Sequence, residues 1–127
     1  MSTELNHTIV HATDHWAAAR DFATVLGLGE PVAYGPFAVL ELTNRVSLDF
    51  VTDAGHIPAQ HYAFLVSEDE FDAVWGRLKA EGRTWWADPF RQRPGEINHG
   101  DGGRGLYWEG PDGHWLEIIT RPYGSGA

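Results

Sequence analysis

Two kinds of periodicity alternate along the chain, and they occur twice in the same order. Residues 6–11 (NHTIVH) alternate polar and apolar positions with β-branched residues in the middle, which predicts a strand. Thr13 or Asp14 can cap the segment that follows, where Trp16, Ala19, Phe22, Ala23 and Leu26 recur at helical spacing before Gly27 and Gly29. Three short strands, VAYG, FAVLELT and VSLDFVT, come next, with turns at Pro36 and Asn44-Arg45. After the polar loop DAGHIPAQ the order repeats. HYAFLV predicts a strand, and EDEFDAVWGRLKAEG a helix with Phe71, Val74, Trp75 and Leu78 on one stripe. RTWWADP, RGLYWEG and GHWLEIIT predict three more strands, the last two joined at Pro111-Asp112-Gly113. RPYGSGA predicts a loose tail.

The two halves also match in residues. NHTIV in the first strand parallels QHYAFLV in the fifth, and VSLDFVT parallels HWLEIIT. His7 then corresponds to His61, and Asp49 to Glu117. A repeat of this kind implies two like modules, about 5–53 and about 59–121, within one domain spanning 1–127. The expected fold class is α+β: two βαβββ modules forming a curved mixed sheet around a concave cavity.

Strand periodicity decides which side chains share a face. His7, Ile9 and His11 point one way on the first strand, and His61, Ala63 and Leu65 on the fifth. Ser47, Asp49 and Val51 share a face, as do Trp115, Glu117 and Ile119. The other face carries Phe64, Val66, Leu116 and Ile118, which suit packing under the helices. The polar set would therefore line the concave inner face. His114 is three residues from Glu117, so the pleat puts it on the opposite side, and a solvent position is expected for it.

Composition narrows the chemistry. Nine Lys and Arg against 18 Asp and Glu give a formal net charge of −9, with no basic run, which argues against nucleic acid and anionic membranes as partners. The chain has no cysteine, so thiolate chemistry and Cys-based metal sites are excluded. The N-terminus lacks the features of a signal peptide, no apolar run approaches the roughly 20 residues of a membrane span, and a cytoplasmic location is expected. Any metal must sit in His, Asp and Glu ligands. His7, His61 and Glu117, with Asp49 as a possible fourth, form a proper shell for Fe²⁺, Mn²⁺, Co²⁺, Ni²⁺ or Zn²⁺. Taken singly, a strand histidine is more often structural or exposed; the matched pair and the carboxylates raise the metal case.

These residues resemble the vicinal oxygen chelate superfamily, the group of glyoxalases, bleomycin-resistance proteins and extradiol dioxygenases. The resemblance runs from LNHTIVHATDHWAAARDFATVLGL to GPDGHWLEIITRPYG, and PDG-x-x-LE is its most specific piece. It implies metal ligands at His7, His61 and Glu117. Asp49 stands where four-ligand lyases more often carry Glu, so it could bind directly, bind through water, or orient substrate. The resemblance further implies a homodimer and a glyoxalase- or dioxygenase-like enzyme, a lyase or an oxidoreductase, acting on a small oxygen-rich substrate that chelates the metal. The alternative it implies is a drug- or toxin-sequestering resistance protein using the same cavity without catalysis.

Other candidates are weaker individually. Trp86, Tyr107, Trp108 and Trp115 could pack against substrate or simply fill the core; Trp115 has the better case because it shares the face of Glu117. The long loop FRQRPGEINHGDGGRG offers Asn98 and Arg104 as substrate contacts and His99 as a general acid or base. Tyr123 is a second catalytic candidate, by a loose resemblance. His11 could orient a ligand or sit at the strand end in solvent.

Overall fold

The structure is a computed structural model that describes residues 1–126. It divides into two compact units, Met1–Pro58 and the residues from Ala59 onward. The first contains β1 (His7–Ala12), α1 (His15–Leu26), β2 (Val32–Tyr34), β3 (Phe37–Glu41) and β4 (Ser47–Thr52). The second contains β5 (His61–Leu65), α2 (Glu68–Ala80), β6 (Trp85–Trp86), β7 (Gly105–Glu109) and β8 (Trp115–Ile119). Each unit forms one four-stranded mixed sheet, in the orders β1-β4-β3-β2 and β5-β8-β7-β6. The first and last strands of each unit run parallel and the other pairs antiparallel. The fold is α+β, and the βαβββ repeat recurs down to strand order. Among the described residues no helix is long and apolar enough to cross a membrane.

Local chemistry explains the helix limits. Asp14 starts α1, its carboxylate accepting from the Trp16 and Ala17 amides at 3.1 and 3.0 Å. Gly27 ends it in the left-handed conformation at φ 72°, letting Leu28 N–H reach the Ala23 carbonyl. Ser67 caps α2 by accepting from the Glu70 amide. Replacing Asp14 by alanine orphans the two amides and should cost about 1 kcal/mol of stability, readable in urea unfolding.

In the first unit Val10, Ala38, Leu40, Leu48 and Phe50 of the sheet are buried, as are Ala19, Phe22 and Ala23 of α1. Phe22 and Phe50 meet edge-to-face at 4.8 Å. In the second unit Phe71, Val74 and Leu78 of α2 are buried, together with Leu106, Trp108, Leu116 and Ile118. The residues left on the other face of each sheet are those that periodicity assigned to the inner side. The strand expected over RTWWADP is only two residues long. Asp88 shortens it: its carboxylate accepts from the Phe90, Gln92 and Arg93 amides and folds the chain into a loop.

Candidate functional site

The inner face of the second unit is organised by β5 and β8. His61 pairs with Trp115 and Ala63 with Glu117, which brings the His61 imidazole to the Glu117 carboxylate. Nε2 of His61 lies 3.0 Å from Glu117 Oε1. Nδ1 lies 2.8 Å from the Trp115 carbonyl, which can only accept, so Nδ1 carries a proton. Nε2 is then the nitrogen left to hold a proton or a metal ion. A ring N–H tied to a backbone carbonyl is the usual support for a metal-binding histidine.

Glu117 is only 1% exposed. Its second oxygen, Oε2, accepts from the Tyr123 hydroxyl. Tyr123 stands mostly in solvent, yet its oxygen is tucked against Glu117 and lies 3.3 Å from the Tyr107 hydroxyl. Desolvation, and then the bond to Glu117, push the Tyr123 phenol well above its ordinary pKa, so it stays a hydrogen-bond donor at neutral pH. Burial raises Tyr107 as well. The tail is thus tied to the carboxylate, although a loose tail is what its composition predicts. A buried carboxylate with so few partners is costly unless a cation or proton compensates it.

A wall of rings flanks the pair. Tyr107 stacks 6.0 Å from His61 and 5.8 Å from Trp115, and Trp86 lies 5.3 Å from Trp115. Arg91, in a left-handed conformation at φ 58°, stands 4.2 Å over the Trp115 ring and pairs with Glu109 at 2.8 Å. Sequence periodicity gave no reason to single out Arg91 for this position, because it lies in an irregular loop.

The first unit repeats the layout with different side chains. His7 lies opposite Ser47, and Ile9 opposite Asp49, which in turn lies opposite Val39. His7 Nδ1 donates to Asn6 Oδ1 at 2.7 Å, which leaves its Nε2 available as well. Asp49 bonds the Ser47 hydroxyl, at 2.9 Å, rather than a histidine. By register, Ser47, Val39 and Val32 stand where the second unit has Trp115, Tyr107 and Trp86. The smaller residues leave open a cleft of about 790 Å³. His7, Ile9, Val32, Tyr34, Phe37 and Asp49 are among its lining residues. Strand alternation would have nominated Val32, Tyr34, Phe37 and Val39 for this wall. Within neither unit do three His, Asp or Glu side chains converge into a ready metal shell, among the described residues.

Several expected contacts take structural places instead. Trp108 is fully buried because it lies opposite Leu116 on the core side of the sheet. Arg104 donates to Glu68 at 2.7 Å and Asp72 at 2.8 Å and covers the Phe71 ring, so its charge is committed to α2. Its hydrogen bonds hold the Glu68 and Asp72 carboxyls below their usual range. Asn98 staples the loop through the Ala87 carbonyl and the Gly100 amide. His114 is not at the solvent: it is 1% exposed, and its Nδ1 accepts from the Gln60 amide at 3.0 Å. The pleat does turn it away from Glu117, but that side of the sheet is the core. His99 is exposed in the loop, and His11 lies at the exposed strand end, 3.3 Å from Asp53.

No family model matches the chain. A solved structure named Oxidase ChaP-H2 is 59% identical, with complete coverage of both chains and a TM-score of 0.96. The glutathione transferase FosA of Serratia marcescens is 29% identical over 124 residues, which is 93% of this chain and 81% of that protein. A glyoxalase/bleomycin resistance protein from Catenulispora acidiphila shares the fold at 23% identity, covering 94% of this chain and 100% of that one, with a TM-score of 0.66. The paired βαβββ sheets, the histidine and acidic residue repeated at the same register in each, and these relatives agree: the chain belongs to the vicinal oxygen chelate superfamily.

Proposed function

We infer that this protein is a metal-dependent enzyme that acts on a small oxygen-bearing substrate, with a divalent ion bound at His61 and Glu117. The observation that carries this is the buried Glu117 carboxylate facing the Nε2 of a histidine whose Nδ1 is already committed. His7 offers a nitrogen left available in the same way within its own unit, and the resemblance counts it in the ligand set, in which two imidazoles with one carboxylate suit Fe²⁺ well. Asp49 remains either a fourth ligand or a substrate contact. The name of the 59%-identical oxidase favours oxidative chemistry over a lyase.

When bound, an ion of this kind polarises substrate oxygens or organises dioxygen. The Trp115 carbonyl fixes the His61 tautomer, and Tyr123 orients Glu117 and holds a proton at its phenol oxygen. Tyr107 and Trp115 keep the pair partly dry. Tyr123→Phe should therefore weaken Mn²⁺ binding about 10-fold, the lower range for an outer-shell partner, with unfolding unchanged; calorimetric titration measures it. The working form is expected to be a homodimer, and light scattering at micromolar concentration tests this.

Thermal unfolding of chelator-stripped protein tests the main claim. Fe²⁺, Mn²⁺, Ni²⁺ or Zn²⁺ at about 100 times Kd should add about 2.7 kcal/mol of stability. No shift with any of them contradicts it. Sequestration without catalysis is the second reading, and the open first-unit cleft favours it. Ligand capture that is indifferent to chelator, with no turnover, would support it.

A further inference from the structure

We propose that Asp101 is a positioning residue for the Glu117 carboxylate: it clasps the segment 121–126 and thereby keeps the Tyr123 hydroxyl on Glu117. The clasp stands on hydrogen bonds within the second unit, and only its effect on metal binding rests on the reading above.

The segment has two anchors. One is Tyr123, which donates to Glu117 Oε2 and lies 3.3 Å from the Tyr107 hydroxyl. Tyr123 is 67% exposed, so apolar burial does little to hold it there. The other anchor is Asp101, in the loop before β7. Its Oδ1 accepts from the Gly124 amide at 3.1 Å and from the Gly126 amide at 3.2 Å. Bonds from two backbone amides to one carboxylate are charge-assisted and stronger than bonds between neutral groups. Between the anchors the chain turns on itself. Ser125 donates to the Pro122 carbonyl from its amide at 3.1 Å and from its hydroxyl at 2.6 Å. The Arg121 guanidinium donates to the Ser125 carbonyl at 3.3 Å. A turn tied in this way passes the fixed position of Gly124 on to its neighbour Tyr123.

The seat is shaped for the segment. Asp101 lies in the short 3₁₀ turn Gly100–Gly102, left-handed at φ 56°, a conformation that Asp and Asn tolerate better than most side chains. At Gly103 an added Cβ would lie 2.5 Å from Thr120 Oγ1 and 2.9 Å from Arg121 Cγ, so the loop backbone presses on the root of the segment. The Arg104 amide donates to Thr120 Oγ1 at 2.8 Å, and the Thr120 amide to the Arg104 carbonyl at 2.9 Å, which continues the β7–β8 pairing beyond the strands. Gly126 packs on the Asp101 backbone, and a methyl there would run into it. The glycine-rich end of the long loop is thus the seat of the segment. Without Tyr123, Glu117 Oε2 loses the donor that orients it, while Oε1 still faces His61 at 3.0 Å.

Chymotrypsin cutting after Tyr123, read by mass spectrometry on chelator-stripped protein, tests the clasp without metal. Asp101→Gly removes the carboxylate but accepts the left-handed backbone. It should speed this cut about 10-fold, with cutting after the exposed Phe90 unchanged. Gly126→Ala should speed it too. Asp101→Asn keeps an acceptor oxygen and should stay close to the wild-type rate. In calorimetric titration Asp101→Gly should weaken Mn²⁺ binding about 10-fold, as is expected of Tyr123→Phe, and the double variant should lose no more than either alone. A wild-type rate after Tyr123 in Asp101→Gly, an equal gain after Phe90, unchanged Mn²⁺ affinity in Asp101→Gly, or losses that multiply in the double variant would each overturn the proposal. If wild-type protein binds no Mn²⁺, the metal reading fails, and the digest still decides whether Asp101 holds the segment.

Discussion

Glu117→Gln is expected to weaken Mn²⁺ binding by more than about 100-fold, beyond the 10–100-fold typical of outer-shell partners. The substitution keeps the shape of the side chain and an oxygen to accept from Tyr123, while removing the charge that a divalent ion needs. Because the carboxylate is 1% exposed, its neutral counterpart is easier to bury. Metal-free Glu117→Gln should therefore unfold at or above the wild-type temperature. Loss of metal binding with retained stability separates a ligand from a structural residue. Unchanged affinity in calorimetric titration would remove Glu117 from the ligand set.

Trp108→Ala should cost about 3–5 kcal/mol in urea unfolding, a large share of the 5–15 kcal/mol that holds a typical domain together. Trp108 has no exposed surface and faces the core, opposite Leu116. Its indole N–H has no hydrogen-bond partner among the described residues, so Trp108→Phe should cost less, losing volume but no bond. A small stability change in Trp108→Ala accompanied by lost ligand binding would place the ring on the site side after all.

The elements were legible because both halves keep strict periodicity. His7, Ile9 and His11 alternate with buried Val10 and Ala12, and Phe71, Val74 and Leu78 recur at helical spacing. The same parity brought His61 and Glu117 to one face. By parity His114 shares the helix-packed face of Leu116 and Ile118, so it lies in the core and not in solvent, and the Gln60 amide satisfies its buried Nδ1. Trp108 was ranked with Tyr107, though adjacent strand residues point to opposite faces. Arg104 and Asn98 were harder, since a loop has no period. Their roles follow from partners distant in sequence, Glu68 and Asp72 for one and Ala87 for the other. The tail gave little warning that Tyr123 reaches back to Glu117. The first-unit cleft arises from a difference between the repeats, small residues where the other half has rings, and becomes visible only once register aligns them.

Elemental analysis of protein purified without a histidine tag, wild type beside His61→Ala, tests the central claim most directly. Stoichiometric divalent metal in the wild type, lost in the variant while the protein stays folded, is the expected result. Absence of metal from wild-type protein even after reconstitution, or equal metal in both proteins, would contradict a metal centre built on His61 and Glu117.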